Sequence, residues 1–327
     1  MSILEGRTVL ITGGTGSFGI AFTKEILLHH NPKVVRIFSR GELLQNQMQE
    51  AFKDSRLRFF IGDVRDRDRL FRAIEGADIV VHAAALKRIE TCEYNPFEAV
   101  KTNITGSMNV ADAALDCGVG KIMGISSDKS CHAVNMYGIT KACMEKLFIQ
   151  ANAYAGKRKT RFSCVRYGNV IGSRGSVIPL FMEQREKGII TITDKRMTRF
   201  WISLEQGVNF VISCLEKMQG GEIFVPKIPT VRIVDLAEAC APGIKQVVTG
   251  IRPGEKLHEI LLSEEEAERA KEFDDYFIIE PELEYLPILK IEGGRALLPG
   301  SGYSSDTNHL RLSRESLEEM VRHLEEK

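Results

Sequence analysis

The chain has 327 residues, 43% of them hydrophobic, so it can bury a large core and exceeds the usual size of a single domain. Its 44 basic residues equal its 44 acidic residues, a balance that argues against nucleic acid or an anionic membrane as a partner. No apolar run reaches the roughly 18 residues of a membrane span, and the first residues lack a signal-peptide core, so we expect a cytoplasmic protein.

The first thirty residues predict a dinucleotide-binding unit. A buried strand at 8–12 is followed by Gly13, Gly16 and Gly19 and then by a helical segment at 20–29. Glycines in this order allow a tight turn, close approach of the backbone to a pyrophosphate and close packing of helix on strand. The phosphates would lie at the helix N-terminus.

The ends of the next two predicted strands, 34–39 and 57–61, bear on the choice of cofactor. Ser39 and Arg40 offer hydrogen-bond donors for a 2′-phosphate, whereas an acidic residue there would accept the ribose hydroxyls of NAD. We therefore favour NADP and leave NAD open. Asp63 and Val64 would flank the adenine, but Asp63 could equally cap the helix that follows.

Strands predicted at 79–84, 122–126 and 162–166 alternate with amphipathic segments such as 66–74 and 99–117. This rhythm predicts an α/β fold with a doubly wound parallel (Rossmann) sheet that binds ligands at the carboxyl ends of its strands. The pattern then breaks up into a loop at 172–175, a helix at 231–240, a solvated acidic helix at 264–273 and a tail helix at 314–326. We expect a dinucleotide-binding domain at 1–171, with returning elements at 202–230, and a smaller interleaved substrate lobe from 172–201 and 231–327.

Residues 126–141 carry the candidate chemistry. Tyr137 and Lys141 are four residues apart and share one face of a helix, where a buried ammonium beside a phenol favours the phenolate. Asp128 and Lys129 come directly after the strand predicted at 122–126, where a parallel sheet presents reactive side chains. Seven scattered cysteines without CxxC spacing favour reduced thiols, and we expect no metal site.

Together these features resemble an extended short-chain dehydrogenase/reductase acting on a nucleotide sugar, and more narrowly the inverting UDP-N-acetylglucosamine 4,6-dehydratases of pseudaminic acid and related capsular or flagellar sugar pathways. The resemblance runs from about Gly6 to Asn308. Its motifs include the Tyr137-xxx-Lys141 pair, Ser127-Asp128-Lys129, Ala85-Leu-Lys87, Arg166-Tyr-Gly-Asn169, Arg196-Met-Thr-Arg-Phe-Trp201, Arg252-Pro-Gly-Glu-Lys-Leu-His258 and Tyr303-Ser-Ser-Asp-Thr-Asn308.

The resemblance implies oxidation at C4 of the sugar, loss of water across C5 and C6, and return of hydride to C6. Tyr137 would remove the proton of the 4-hydroxyl, helped by Lys141, a task that requires its pKa to fall from roughly 10. Lys129 would act as the base at C5, Asp128 as the acid at the C6 hydroxyl, and Ser127 would polarise the 4-oxygen. Lys129 must then be neutral and Asp128 protonated, although the pair alone would prefer the opposite charges.

The resemblance also implies two sets of binding residues. The expected cofactor contacts are Gly13, Thr15, Gly16, Ser17, Phe18, Gly19, Ser39, Arg40, Asp63, Val64, Ala83, Tyr137 and Lys141. The expected contacts to a UDP-sugar are Lys87, Asn169, Val177, Arg252 and Glu255. We also expect a homo-oligomer.

Three departures from the family pattern bear on specificity. Arg88 and Glu90 stand where relatives usually have His and Pro, beside the sugar, and Leu44 replaces a lysine near the cofactor phosphate. Retaining dehydratases carry Asp-Glu where this chain has Asp128-Lys129, and 4-epimerases have small residues there. A 4-epimerase or a retaining dehydratase is therefore the alternative, and a non-catalytic dinucleotide sensor is a more distant one.

Overall fold

The structure is a computed structural model that describes residues 2–172, 177–281 and 291–325. Its helices are α1 (Ser17–His29), α2 (Glu42–Phe52), α3 (Arg67–Ile74), α4 (Ile89–Tyr94), α5 (Pro96–Ala99), α6 (Gly106–Asp116), α7 (Met136–Tyr154), α8 (Val177–Glu186), α9 (Leu204–Lys217), α10 (Ile233–Cys240), α11 (Glu264–Ala267) and α12 (Arg314–Glu325). A π-helical segment, Val100–Thr105, joins α5 to α6.

The strands are β1 (Thr8–Thr12), β2 (Val34–Ser39), β3 (Leu57–Ile61), β4 (Ile79–His82), β5 (Lys121–Ile125), β6 (Arg161–Val165), β7 (Asn169–Val170), β8 (Ile189–Ile192), β9 (Thr198–Ile202), β10 (Ile223–Pro226), β11 (Thr230–Arg232), β12 (Lys245–Val248), β13 (Ile260–Leu262), β14 (Ala270–Glu272), β15 (Tyr276–Ile279), β16 (Arg295–Ala296) and β17 (Tyr303–Ser304).

A ten-stranded sheet forms the centre of the described chain, in the order β16-β14-β15-β10-β6-β5-β4-β1-β2-β3. The strands from β10 to β3 in this order pair in parallel, whereas β15, β14 and β16 add antiparallel pairs at one edge. This topology confirms the predicted doubly wound sheet. The order reverses direction beside β1, and such a switch point places a ligand crevice at the carboxyl ends of the strands.

Short apolar strands explain why the first half was predicted well. β1, β2 and β3 match the predicted ranges residue for residue, and all five residues of β1 are buried. β4 ends at His82, two residues earlier than predicted, because the apolar residues after it turn into the crevice.

The acidic helix predicted at 264–273 is wrong. The helix ends at Ala267, and Ala270–Glu272 forms a strand that pairs with β15. Its face is not simply solvated, because Glu266 makes an ion pair with the buried Arg166, at 2.7 Å from Oε2 to the guanidinium. Arg166 also meets Glu145 of α7 at 2.7 Å. This buried ion cluster fixes α11 against α7.

Two other predicted helices differ in detail. The helix predicted at 99–117 is interrupted by the π-helical segment, and the one predicted at 231–240 begins two residues late because Thr230–Arg232 pairs with β9. The tail helix runs to Glu325, and the loop predicted at 172–175 lies outside the described residues after Gly172.

The described residues form two main apolar cores and one small cluster around Cys92, Ala99 and Tyr137. The larger surrounds the central sheet. The smaller gathers residues of α8, β9, α10 and α12, including Phe181, Trp201, Leu236 and Leu317. All seven cysteines are free thiols. Across the described ranges, no helix combines the length and apolarity needed to cross a bilayer.

Candidate active site

A cavity of about 1270 Å³ opens at the carboxyl ends of the parallel strands. Every site residue predicted from the sequence lines it except Asp128, which is fully buried behind the cavity wall. The volume exceeds the few hundred to 1,000 Å³ of usual small-molecule sites, so two ligands can lie in it together.

The turn after β1 shapes one end of the cavity. Gly13 has φ +67, and a Cβ there would lie 2.9 Å from the backbone of Ala84. A side chain at this position would therefore both strain the backbone and close the crevice. Helix α1 begins at Ser17 with neither a side-chain cap at Gly16 nor an acidic residue in its first turn. Its positive end thus faces the cavity, as an anion site requires.

The edge formed by Ser39, Arg40 and Asp63 lies beside this turn. The hydroxyl of Ser39 accepts a hydrogen bond from Gln45 at 3.0 Å and can still donate its own hydrogen. Arg40 is 59% exposed and lies 3.9 Å from Asp63, which also binds Arg65 at 2.7 Å. The next helix is capped by Asp66 and not by Asp63, so the capping alternative for Asp63 is wrong.

Helix α7, which carries Tyr137 and Lys141, is held tightly against the loop that follows β5. Its N-cap, Asn135, accepts from Gly138 N–H at 2.8 Å and donates to the Gly254 carbonyl at 2.7 Å. A Cβ on Gly138 would lie 2.1 Å from the carbonyl oxygen of Lys129, so only glycine allows this approach. Asn103, in the π-helical segment, donates to Thr140 at 2.9 Å. These contacts fix Tyr137 and the loop in one register.

Tyr137 and Lys141 both line the cavity and are both buried. Burial raises the pKa of Tyr137 to about 12, while the Lys129 charge and a hydrogen bond with Ser127 oppose that shift. Burial lowers the pKa of Lys141 to about 8. The protein cation that acts on the phenol is thus Lys129, whereas the Lys141 ammonium lies 3.4 Å from Met144 Sδ. The sequence predicted that Lys141 lowers the pKa of Tyr137. In the structure this pKa is raised, and Lys141 is not among the groups that lower it.

Lys129 lies between carboxylates. Its Nζ is 2.8 Å from Asp128 Oδ1, 3.4 Å from Asn169 Oδ1 and 3.6 Å from Glu259 Oε1. Burial alone would lower the pKa of Lys129, but the two carboxylates outweigh it and the pKa is raised. The resting pair is therefore an ammonium beside a carboxylate, the opposite of what the predicted base and acid require. Ser127 also donates to Asp128 Oδ1 at 2.9 Å.

Glu259 and Arg199 were missed as site residues. Both are buried and both line the cavity. Arg199 lies within the motif at 196–201, and Glu259 directly follows the motif at 252–258. An acidic residue next to a motif with two basic side chains was the only sequence signal for Glu259. No spacing rule connects either one to Lys129, since they meet only through the fold.

The predicted substrate residues all line the cavity. Asn169 and Val177 begin β7 and α8, and Lys87 follows β4. Arg252 binds Glu90 at 3.1 Å, and its backbone N–H donates to Glu255 at 3.4 Å. The departure at Glu90 thus bears directly on a predicted phosphate ligand.

Two histidines take structural positions. His82 is fully buried, with Nδ1 2.7 Å from Thr12 and Nε2 3.0 Å from Ser107, and burial lowers its pKa to about 3. His258 Nδ1 lies 2.8 Å from Thr198. In the part of the chain that the structure describes, no group of three or more His, Cys, Asp or Glu side chains could hold a metal ion.

Comparison with known proteins places this arrangement in a family. The family model for "Polysaccharide biosynthesis protein" matches residues 9–281. A Campylobacter jejuni protein named UDP-N-acetylglucosamine 4,6-dehydratase (inverting) is 48% identical over 98% of both chains. A Rickettsia canadensis protein named UDP-glucose 4-epimerase is 41% identical over 96% of this chain and 95% of its own.

Solved structures agree. The X-ray structure of Pen from Bacillus thuringiensis superposes with a TM-score of 0.91 and 40% identity, covering 99% of each chain. The fold and the near full-length identities confirm the resemblance drawn from the motifs. The chain therefore belongs to the polysaccharide biosynthesis protein family, together with the inverting UDP-N-acetylglucosamine 4,6-dehydratases.

Proposed function

We propose that this chain removes water from UDP-N-acetylglucosamine to give a 4-keto-6-deoxy sugar with inverted C5. The observation that carries the proposal is the Lys129–Asp128 pair, 2.8 Å apart, beside Tyr137 in a cavity with room for two ligands. An epimerase needs no acid and base at C5 and C6, so this pair favours the dehydratase over the epimerase.

The cavity fits a nicotinamide dinucleotide. The Gly13 turn leaves space that a Cβ would fill, and the N-terminus of α1 faces the same space. When bound, the nicotinamide takes hydride from C4 and returns it to C6. We propose NADP as the cofactor, since Ser39 and Arg40 offer donors to a 2′-phosphate, and NAD as its alternative.

Tyr137 would hold the first proton. Its hydroxyl is hydrogen-bonded with Ser127, so one oxygen of the sugar can contact both groups. As Tyr137 accepts the proton of the 4-hydroxyl, the Ser127 hydroxyl, which donates to Asp128 Oδ1 in the resting site, would turn to donate to the developing ketone oxygen. The buried Lys141 lies one helical turn away on the same face of α7, and its lowered pKa of about 8 allows its charge to change near neutral pH.

The elimination would follow from a single internal proton transfer. Moving one proton from Lys129 to Asp128 converts the resting ion pair into a neutral amine and a neutral acid. The amine then takes the C5 proton, and the electron pair of the broken C5–H bond moves towards the C4 ketone to give an enolate. As the enolate collapses, the C5–C6 double bond forms and the C6–O bond breaks, while Asp128 gives its proton to the hydroxyl, which leaves as water. Because Asp128 lies behind the cavity wall, a small movement of this loop must accompany the step.

We propose that Lys87 and Arg252 bind the diphosphate of the UDP-sugar, with Asn169, Val177 and Glu255 around the sugar and nucleoside. Their support is that all five line the cavity, and that two of them are cations suited to phosphate oxygens. The substrate lobe at 172–201 and 231–327 and the homo-oligomer stay predictions, which limited proteolysis and sedimentation velocity measure.

The experiment is incubation with UDP-N-acetylglucosamine in D₂O, followed by NMR of the product. We expect a 4-keto-6-deoxy sugar with deuterium at C5 and inverted configuration there. Lys129→Met should abolish water release and C5 exchange yet leave cofactor binding intact, while the exposed Lys24→Met serves as its matched control. A product that keeps its C6 hydroxyl and differs only at C4 would establish the epimerase instead.

A further inference from the structure

Glu259 is a buried carboxylate in the wall of the cavity. Its side chain is only 4% exposed. Ser305 holds its backbone through two hydrogen bonds: the Glu259 N–H donates to Ser305 Oγ at 2.9 Å, and the Glu259 carbonyl accepts from the Ser305 N–H at 2.8 Å. Oε2 is one of only three buried side-chain polar atoms in the described ranges that lack a hydrogen-bond partner. Buried carboxylate oxygens are almost always hydrogen-bonded, so this one requires an explanation.

Three cations surround Glu259, one from each of three separate parts of the chain. Oε1 lies 3.6 Å from Lys129 Nζ and 3.7 Å from Arg199 Nε, and Oε2 lies 3.7 Å from Lys256 Nζ. These distances are longer than hydrogen bonds, so the carboxylate acts here mainly as a fixed negative charge.

Lys129 therefore has two carboxylates with different tasks. Asp128 exchanges protons with it at 2.8 Å and must be neutral when it serves as the acid. At that moment Asp128 no longer carries charge, and Glu259 is the carboxylate that still faces the amine. Positive charge develops on Lys129 as it takes the C5 proton, and a fixed negative charge at that place stabilises the transition state.

We propose that Glu259 is a positioning residue that orients the Lys129 amine and stabilises the ammonium formed when it takes the C5 proton. The inference rests on the proposed function, because it needs Lys129 to be the base. In this step the C5–H bond breaks, the N–H bond forms and the electron pair moves towards the C4 oxygen. Glu259 itself neither gains nor loses a proton.

The test separates the two half-reactions in Glu259→Gln. The rate of C4 oxidation, monitored in a single turnover by the absorbance of the nicotinamide, should stay within about twofold of the wild-type rate. Exchange of the C5 proton in D₂O should fall by about 10²-fold, since preorganised charges in active sites contribute effects of that size. The pH profile of exchange should also move to lower pH, because loss of a carboxylate makes Lys129 less basic.

Two further variants keep the test decisive if Glu259→Gln does not fold. Glu259→Asp keeps the charge and should retain exchange within about tenfold of wild type. Lys256→Met removes a cation from Glu259 and should move the pH profile the other way, to higher pH. Glu222→Gln, at a carboxylate that is 2% exposed and outside the cavity lining, controls for the loss of any buried acid and should leave the profile unchanged.

The outcomes distinguish the two proposals. If Lys129→Met abolishes exchange but the Glu259 and Lys256 variants exchange with the wild-type rate and pH profile, the role of Glu259 is wrong and the proposed function stands. If the Glu259→Gln variant loses both half-reactions equally, Glu259 is only structural. If Lys129→Met exchanges normally, the proposed function itself fails.

Discussion

Two buried lysines in the cavity have pKa values shifted in opposite directions. We call the part of the cavity around the Gly13 turn and Lys141 the cofactor side, and the part around Lys129 and Arg252 the substrate side, after the function proposed above.

On the cofactor side, burial lowers the pKa of Lys141 to about 8 and outweighs the opposing charge of Glu145. On the substrate side, Lys129 is also buried, but Asp128 and Glu259 raise its pKa. The two lysines come from neighbouring stretches of one chain, so carboxylate neighbours and not burial decide which proton each can hold.

The difference matches two kinds of work. A lysine with a lowered pKa can change its charge near neutral pH, whereas one held between carboxylates keeps its proton until a partner takes it. The first suits a group that modulates a neighbouring phenol. The second suits a lysine that becomes a base only when it passes its proton to a neighbouring carboxylate, which then serves as the acid of the elimination.

The largest expected effect tests the unity of the cofactor side. Tyr137→Phe and Lys141→Ala should each lower dehydratase kcat by 10²–10⁴-fold, the usual range for positioned acid/base groups. Because the two act as one unit, the double variant should be little worse than the more damaged single one. Single-turnover rates of C4 oxidation measure this. Strictly additive losses would show that the two side chains work separately.

The second prediction concerns stability, with opposite signs on the two sides. Lys129→Met should destabilise the fold by about 3 kcal/mol because it leaves two buried carboxylates without their shared cation. Lys141→Met should instead stabilise it by up to about 3 kcal/mol, since folding lowers this pKa from 10.5 to about 8 and so disfavours the charged form.

The gain from Lys141→Met should depend on pH. The cost of the buried ammonium is complete below pH 8, shrinks as pH rises through the folded-state pKa, and vanishes above about 10.5, where the unfolded lysine is also neutral. Urea denaturation at pH 7 and pH 10 measures it. Equal destabilisation by both substitutions would remove the contrast between the two sides.

A smaller effect is expected at the outer edge of the cofactor side. Arg40→Asp should weaken NADP binding relative to NAD by about 10- to 100-fold, because a charge-assisted phosphate contact becomes a repulsion. Isothermal titration with each cofactor gives the ratio. The exposed Arg72→Asp is a matched control, and an unchanged ratio in Arg40→Asp would exclude this arginine as the phosphate ligand.

The smallest effect is expected at the mouth of the substrate side. Glu90 and Arg252 are 70% and 52% exposed, and such a pair contributes about 0–1 kcal/mol. Glu90→Gln should therefore leave the melting temperature unchanged and lower KM for the UDP-sugar by a few-fold, because the guanidinium no longer divides its contacts between Glu90 and the diphosphate. A raised KM would mean that Glu90 itself binds substrate.

Local patterns predicted the cofactor side better than the substrate side. β1 to β3 are apolar runs bounded by turn residues, and the glycine order after β1 has one physical reading. By contrast, β14 is Ala-Lys-Glu, which no strand propensity favours, and it forms only because β15 offers a partner. Glu259 and Arg199 reach Lys129 only through the assembled fold. The raised pKa of Lys129 depends on the same tertiary contacts, so no local pattern predicts it.

The Arg166 cluster has a consequence for dissecting the protein. The guanidinium is 2% exposed and is shared between Glu145 of α7 and Glu266, which belongs to the later part of the chain. A fragment that ended before Glu266 would leave the buried Arg166 with only one of its two carboxylate partners. It would also lack β14, β15 and β16, which complete one edge of the sheet. We therefore expect that residues 1–171 do not fold stably on their own. A chimaera made with a relative should fold only when it keeps Glu145 and Glu266 together with Arg166.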